Sequence, residues 1–276
     1  MIKANRRIDI SSFVLHILAM LFMLSDHLWA TVIPGNRWMT AVGRLAYPIF
    51  AFMIVEGFYH THDLKKYILR LLAFAVVSEI PFNLMYGGAA FYPVHQNVLW
   101  TFLLSLAGIC LIDRVKKKEI VKKEQKCTLP EQSASTGKKL LALFKKKFLW
   151  RTILVAVPTV AVTALAGQLA MLDFFGAGVL MVYIFYFFHG KKWWCIIGQL
   201  AAMYYVNTQL DGLYYEVTLF GHTFEVIEQG FAILALLPIW LYNGRQGYHS
   251  KWFQYFCYAF YPVHALILVL LQKLFT

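Results

Sequence analysis

Phe13-Val14-Leu15-His16-Ile17-Leu18-Ala19-Met20-Leu21-Phe22-Met23-Leu24 is an apolar run that passes without a turn signal into Ser25-Asp26-His27. A stretch of this length and character reads as a helix crossing a bilayer. Lys3, Arg6 and Arg7 precede it. This basic flank is like the start of a signal peptide, but the run reaches ~20 residues and no small-residue cleavage site follows, so it is expected to stay as an uncleaved first span. An ionisable Asp and His within such a span cost several kcal/mol. They persist where they face a cavity, usually one that does something.

The rest of the chain has the same character. Its 276 residues are 60% hydrophobic, 17% aromatic and only 14% charged, whereas soluble domains are roughly 45–50% apolar and about 25% charged. The expected fold class is all-α, a polytopic membrane helix bundle in the cell membrane, with the lipid bilayer as its first partner. A net charge of +12 in a soluble protein would suggest nucleic acid. Here the Lys and Arg residues sit mainly in a few loops, as topology signals do, and no nucleic-acid partner is expected. Cys110, Cys127, Cys195 and Cys257 have no Cys-x-x-Cys spacing, which argues against disulfides and against a metal cluster.

Spans of ~17–25 apolar residues fit about nine times, near 11–33, 39–59, 66–85, 96–114, 150–168, 173–189, 193–209, 223–242 and 252–272. With the N-terminus cytoplasmic, the odd turns are basic: Lys65-Lys66, the lysines of 114–149, Lys191-Lys192, and Arg245 with Lys251. The even turns contain only Arg37. This alternation supports the orientation. Residues 115–149 are polar and basic, and are expected to form a mobile cytoplasmic connector near anionic headgroups, within a single domain covering 1–276. Phe91-Tyr92-Pro93-Val94-His95 recurs as Phe260-Tyr261-Pro262-Val263-His264, an echo too short to make a repeat.

Depth orders the polar groups. At ~1.5 Å of rise per residue, Asp26 lies ~22 Å across a ~30 Å core, and Arg44, entering from the outer face, lies ~8 Å below it. These depths coincide. Glu79 comes to ~20 Å and His264 to ~18 Å, while His95 and Asn97 open the fourth span at the outer face. A polar chamber in the outer half of the bilayer would solvate all of them, and a purely structural salt-bridge knot is the other reading. A second tier lies toward the cytoplasm, with Glu56, His60 and His62, then Arg70, Arg245 and Lys251. Cations at a cavity mouth suit a phosphorylated donor, since Arg forks match phosphate oxygens, although ordinary juxtamembrane charge has the same composition. No P-loop, dinucleotide or zinc-protease spacing occurs, and no resident metal is expected.

Several stretches taken together resemble the TraX family of conjugation-associated membrane proteins. They are Met23-Leu24-Ser25-Asp26-His27, Gly43-Arg44-Leu45-Ala46-Tyr47-Pro48-Ile49-Phe50, Glu56-Gly57-Phe58, Tyr67-Ile68-Leu69-Arg70-Leu71, Ser78-Glu79-Ile80-Pro81-Phe82-Asn83, Gln96-Asn97-Val98 and Tyr242-Asn243-Gly244-Arg245. The resemblance is specific in the first hundred residues and at the C-terminal end, diffuse from 150 to 210, and absent from the Lys-rich connector. It implies an acetyltransferase, since the family's named member acetylates the N-terminus of a pilin subunit. It also implies a distant relation to integral-membrane acyltransferases that carry acetyl from cytoplasmic acetyl-CoA to acceptors on the far side.

On that implication, acetyl-CoA enters from the cytoplasm with its phosphates near Arg70, Arg245, Lys251 and His60. His27 is the general base, because imidazole titrates near neutrality. Residues i and i+1 of a helix point ~100° apart, so Asp26 is expected to pair with Arg44, leaving Glu79 or a residue of another span to hold His27. Arg44 or Asn97 would stabilise the oxyanion, and His95 and His264 would line the acceptor site. The acceptor, an amine or hydroxyl on a pilin or a glycan, is not identified by the sequence. The rival class is a proton-coupled transporter that uses Asp26, His27, Glu79 and His264 as a relay.

Overall fold

The computed structural model describes residues 9–127, 134–210, 214–219 and 222–275. The opening run forms α1 (Ser12–Thr31), started by Ser11, whose hydroxyl accepts from the Val14 amide at 3.4 Å. Its first two amides are capped from a distance: Ser12 N–H donates to Arg245 O at 2.8 Å and Phe13 N–H to Gln246 O at 3.0 Å. These bonds satisfy donors that a helix start leaves orphaned. The turn 244–247, with Gly244 and Gly247 at positive φ, therefore aims carbonyls at α1.

The second expected span is broken into α2 (Arg37–Gly43) and α3 (Ala46–His60). Pro48 has no amide to give the carbonyl of Arg44, so the hydrogen-bond ladder lapses there. The break leaves the Arg44 side chain at a bend. Helix α4 (Leu64–Gly87) starts at Asp63, whose carboxylate accepts from the Lys66 amide at 3.0 Å, and ends at the left-handed Gly88. That amide holds the exposed Asp63 carboxyl below its ordinary range. Next come α5 (Val98–Cys127), α6 (Ala134–Leu169), α7 (Phe175–Phe187) and α8 (Trp193–Tyr205), the last running into a π turn at Val206–Leu210. A hairpin of β1 (Tyr214–Leu219) and β2 (His222–Ile227) follows, then a 3-10 turn (Glu228–Ala235), α9 (Leu236–Leu241) and α10 (Lys251–Phe275).

Helix α3 is the hub, packed against α1, α5, α7 and α9. Its Ile49, Ala51 and Val55 are fully buried. Helix α10 returns to lie along α4 and α1, which brings the two ends of the chain together. Leu21, Leu69, Val76, Leu154, Leu165 and Leu270 are exposed, as expected of side chains facing lipid rather than water.

Among the described residues, six helical stretches are long and apolar enough to cross a membrane: Ser12–Thr31, Arg37–His60 (α2 and α3 taken together), Leu64–Gly87, Val98–Lys118, Trp150–Leu169 and Lys251–Leu274. The protein is thus a multi-pass membrane helix bundle. The count of about nine changes in the second half. Helices α7 and α8 have 13 residues each, about 20 Å of rise. The stretch 223–242 is not one helix, because Thr223 to Ile227 pairs antiparallel with β1, Tyr214 facing Ile227 and Glu216 facing Glu225. β-branched and aromatic residues are concentrated over 214–227 and favour strand, and only the six residues of α9 remain α-helical after the 3-10 turn. The basic stretch 115–149 is helical up to Cys127 and again from Ala134 as extensions of α5 and α6. Residues 128–133, like Lys3, Arg6 and Arg7, lie outside the described residues.

Candidate functional site

Asp26 and Arg44, matched by depth in the sequence, meet at 2.8 Å. The Thr40 hydroxyl accepts from Arg44 Nη2 at 2.8 Å and donates to Asp26 Oδ1 at 2.7 Å. Glu228 adds a second carboxylate, 3.8 Å from Arg44 Nε. The network continues from Arg44 Nη1 to Gln229 Oε1 at 3.4 Å, and from Gln229 Nε2 to Asn207 Oδ1 at 3.2 Å. It binds α1 and α2 to the 3-10 turn and the π turn. Helix α2 can come so close because Gly43 has no Cβ, and one built there would overlap the Asp26 side chain.

His27 is buried beside this network and bonds to a histidine 237 residues away, its Nδ1 lying 2.7 Å from His264 Nε2. The rings are parallel within 9° with centroids 5.0 Å apart, the geometry of an in-plane edge-to-edge bond. The protons can be assigned from the next partner along. His264 Nδ1 is 2.8 Å from the Phe260 carbonyl, which only accepts, so His264 carries its proton on Nδ1 and accepts at Nε2. His27 therefore donates from Nδ1 and keeps its lone pair on Nε2. Tyr86 packs edge-on against His27 at 6.2 Å.

Glu79 stands apart from His27. Its Oε2 accepts from Asn97 Nδ2 and, at 2.9 Å, from Trp100 Nε1, and its Oε1 is buried without a partner. Asn97 also donates to Ala75 O at 2.8 Å and accepts from the Leu99 amide at 3.1 Å, capping α5. His264, rather than Glu79, holds His27. Both residues expected to serve an oxyanion, Arg44 and Asn97, have donors engaged in these bonds. His95 Nε2 lies 3.4 Å from Asp173 Oδ1, with Tyr86 packed against the His95 ring at 5.7 Å. Asp173 sits in a turn where Met171, Phe174 and Phe175 all have positive φ. Its backbone is pinned by Asp173 N–H to Gln96 O at 2.9 Å and by Thr101 Oγ1 to Asp173 O at 2.8 Å.

The other half of the site is a cavity of about 370 Å³. Ser12, His60, Thr61, Gly244 and Gln246 stand at one end, His16, Glu56 and Arg70 line its walls, and Met23, Val98, Phe260 and Tyr261 lie at the other end. Met23 is one helical turn from His27, and Phe260 one turn from His264. The Phe260 ring stacks on His264 at 5.1 Å. Arg70 Nε is buried without a hydrogen-bond partner. Of the expected donor-binding residues, Arg70 and His60 line the cavity. Arg245 pairs with Asp9, and neither it nor Lys251 reaches the wall.

Reasoning from sequence missed Asp173, Glu228 and His189. His189 Nε2 lies 2.6 Å from Glu56 Oε1 at the cavity wall, and His60 Nδ1 lies 3.5 Å from Glu56 Oε2. Among the described residues no three His, Cys, Asp or Glu side chains gather as a metal site.

The family model described as TraX protein matches residues 11–272. A probable fimbrial assembly protein, FimC of serogroup H1, from Dichelobacter nodosus is 31% identical over 118 residues, 39% of this chain and 48% of that protein. The chain thus spans about half the length of the curated relative it matches. No solved structure matches.

Proposed function

The chain belongs to the TraX family, and from that premise we propose that it is a membrane-embedded acetyltransferase. It takes acetyl from acetyl-CoA held in the cavity and delivers it to an amine or hydroxyl at the Asp26 end of the bundle, on a pilin or a glycan. The observation that carries this reading is the position of the histidine pair, one helical turn beyond the inner wall formed by Met23 and Phe260. A donor entering at the His60 end and a nucleophile approaching from the Asp26 end converge on His27. With the orientation expected from the basic turns, the cavity mouth is cytoplasmic and the Asp26 end faces outward.

The cavity suits such a donor. About 370 Å³ lies within the range of small-molecule sites, and Arg70 on its wall brings a guanidinium of the kind that matches phosphate oxygens. Bound acetyl-CoA would supply an acetyl group already activated as a thioester. His27 Nε2 takes the proton of the attacking amine or hydroxyl and would return it to the CoA thiolate released as the C–S bond breaks, and His264 fixes the ring and its tautomer. Asp26, Thr40 and Arg44 lock α1 against α2, which sets the direction in which His27 projects. Arg44 also lends positive potential to the developing oxyanion. Glu79 and Asn97 fix the start of α5, and His95 with Asp173 lines the acceptor side. Arg245 and Lys251 add positive potential near the mouth.

The test is isotope transfer. Protein purified in lipid nanodiscs is supplied with labelled acetyl-CoA and extracytoplasmic extract, and products are read by mass spectrometry. Wild type should transfer label, and His27→Ala, folded by thermal melting, should not. Full transfer by His27→Ala would sink the base assignment. Folded wild type that binds no CoA would favour a proton-coupled transporter using the same buried groups.

A further inference from the structure

We propose that the Tyr86 ring is the acceptor-side cover of His27, the group that yields to an acceptor and keeps water from the thioester, an inference that rests on the acetyltransferase function. His27 is only 8% exposed, so no nucleophile reaches its free Nε2 until something moves. Among the described residues two rings pack on it, those of His264 and Tyr86. His264 is locked: it is buried, its Nδ1 lies 2.8 Å from the Phe260 carbonyl, and its ring stacks on Phe260 at 5.1 Å. Tyr86 is 45% exposed. It stands perpendicular to the His27 ring at 6.2 Å, with Phe82 at 4.7 Å and His95 at 5.7 Å. Of the two covering rings, it is the one with open space to turn into.

The chain puts Tyr86 where a cover belongs. Helices α1 and α4 both run away from the donor cavity, which Ser12 and His16 line from one and Tyr67 and Arg70 from the other. His27 comes fifteen residues after Ser12, ~22 Å of rise, and Tyr86 twenty-two after Leu64, ~33 Å. Tyr86 is therefore rooted farther from the cavity than His27. Helical side chains lean toward the N-terminus of their helix, which brings this ring back over His27. Weak points bracket the turn that carries it. Pro81 has no amide for the Val77 carbonyl, and Gly87 and the left-handed Gly88 end α4 directly after Tyr86. Asp26, Arg44 and Asp173 all lie within electrostatic reach of its hydroxyl, so the ring borders both halves of the outer site.

A cover matters because a general base does not choose its substrate. His27 Nε2 would take a proton from water as it does from an acceptor. The water oxygen would bond to the acetyl carbon, the C–S bond would break, and the proton would pass to the thiolate, giving acetic acid and CoA. Closing a site against water suppresses this kind of loss. An acceptor brings enough surface to hold the Tyr86 ring aside, whereas a water molecule does not.

The experiment uses the full chain in lipid nanodiscs and two readouts. The first is carbethoxylation by diethyl pyrocarbonate, which attacks an imidazole lone pair and is mapped by peptide mass spectrometry; it needs neither donor nor acceptor. In Tyr86→Ala, His27 should be modified at least about tenfold faster than in wild type, since reagent no longer waits for the ring to swing clear. His16, on the same helix but in the donor cavity, should keep its rate. The second readout is acetate released from labelled acetyl-CoA without acceptor, which should rise in Tyr86→Ala at least about tenfold. Tyr86→Phe keeps the ring and should restore both values. Should Tyr86→Ala lose its thermal transition, Tyr86→Val, too short to cover His27, carries the same expectations. Equal His27 labelling in wild type and the truncated variant overturns the cover, as does a Tyr86→Phe variant that leaks as the truncated one does. If His27 labelling rises as expected but no folded variant, wild type included, transfers acetyl or releases acetate, the acetyltransferase function falls and the cover over His27 stands. Unchanged labelling beside normal wild-type transfer removes only this inference.

Discussion

Replacing His264 tests the tautomer assignment on which the proposed proton transfer depends. In His264→Leu the Nδ1 donor of His27, now 2.7 Å from His264 Nε2, loses its acceptor inside a pocket where His27 is only 8% exposed. An unsatisfied buried donor costs about 1–3 kcal/mol, so the melting temperature should drop by several degrees. The functional loss should be larger. An imidazole free to flip or to change tautomer presents its lone pair only part of the time, and a positioned general base contributes about 10²–10⁴ in rate. Acetyl transfer should therefore fall by about a hundredfold or more, with CoA affinity unchanged because the donor cavity stops at Phe260. His264→Gln retains an acceptor oxygen and should recover part of both losses. Wild-type transfer by His264→Leu, measured with labelled acetyl-CoA on folded protein, would refute the assignment.

Further outcomes follow from the Asp26–Arg44 pair and from the α4 cap. Arg44→Gln leaves Asp26 and Glu228 without their cation and should cost about 2–4 kcal/mol in thermal or denaturant unfolding, somewhat below a fully buried pair because Arg44 and Asp26 retain 20% and 17% side-chain exposure. Adding Asp26→Asn should cost less than the sum of the single changes, and strict additivity would mean that the pair is not coupled. Asp63→Ala should destabilise at neutral pH through loss of the α4 cap. Because the folded state holds this carboxyl below its ordinary 3.8, its contribution is present above that value and fades as pH falls through the lowered one. Melts of wild type and Asp63→Ala should therefore converge in strong acid, and a gap independent of pH would contradict the capping role.

What the sequence made legible was whatever a regular helix encodes. Asp26 and Arg44 were brought together by counting residues at a constant rise, and the count worked because α1 is unbroken and Arg44 stands close to the end of its own element. The same arithmetic put His264 near the depth of Glu79 and Asp26. It could not say that His264 faces His27, because rise fixes depth and not the rotation of one helix about another. Glu228, Asp173 and His189 fall in a 3-10 turn, a tight turn and a helix exit, where no period relates position to direction. The stretch 223–242 was misread for a related reason. Its apolar content satisfies a hydropathy window, while the β-branched and aromatic residues of Thr223-Phe224-Glu225-Val226-Ile227, which pair with β1, are a propensity signal that such a window averages away.

The turn that carries Asp173 also bears on anyone who wants to engineer this protein. Three non-glycine residues in five hold left-handed backbone, each at a cost of roughly 1–3 kcal/mol, and glycine at any of them would relieve it. A stabilisation campaign would be drawn to these positions. Yet the Phe174 ring lies 4.1 Å from that of Tyr47, and the Phe175 ring stands edge-on to His95 at 6.0 Å. A sturdier variant obtained there would relax the segment that aims the Asp173 carboxylate, so robustness is better sought on the lipid-facing surface.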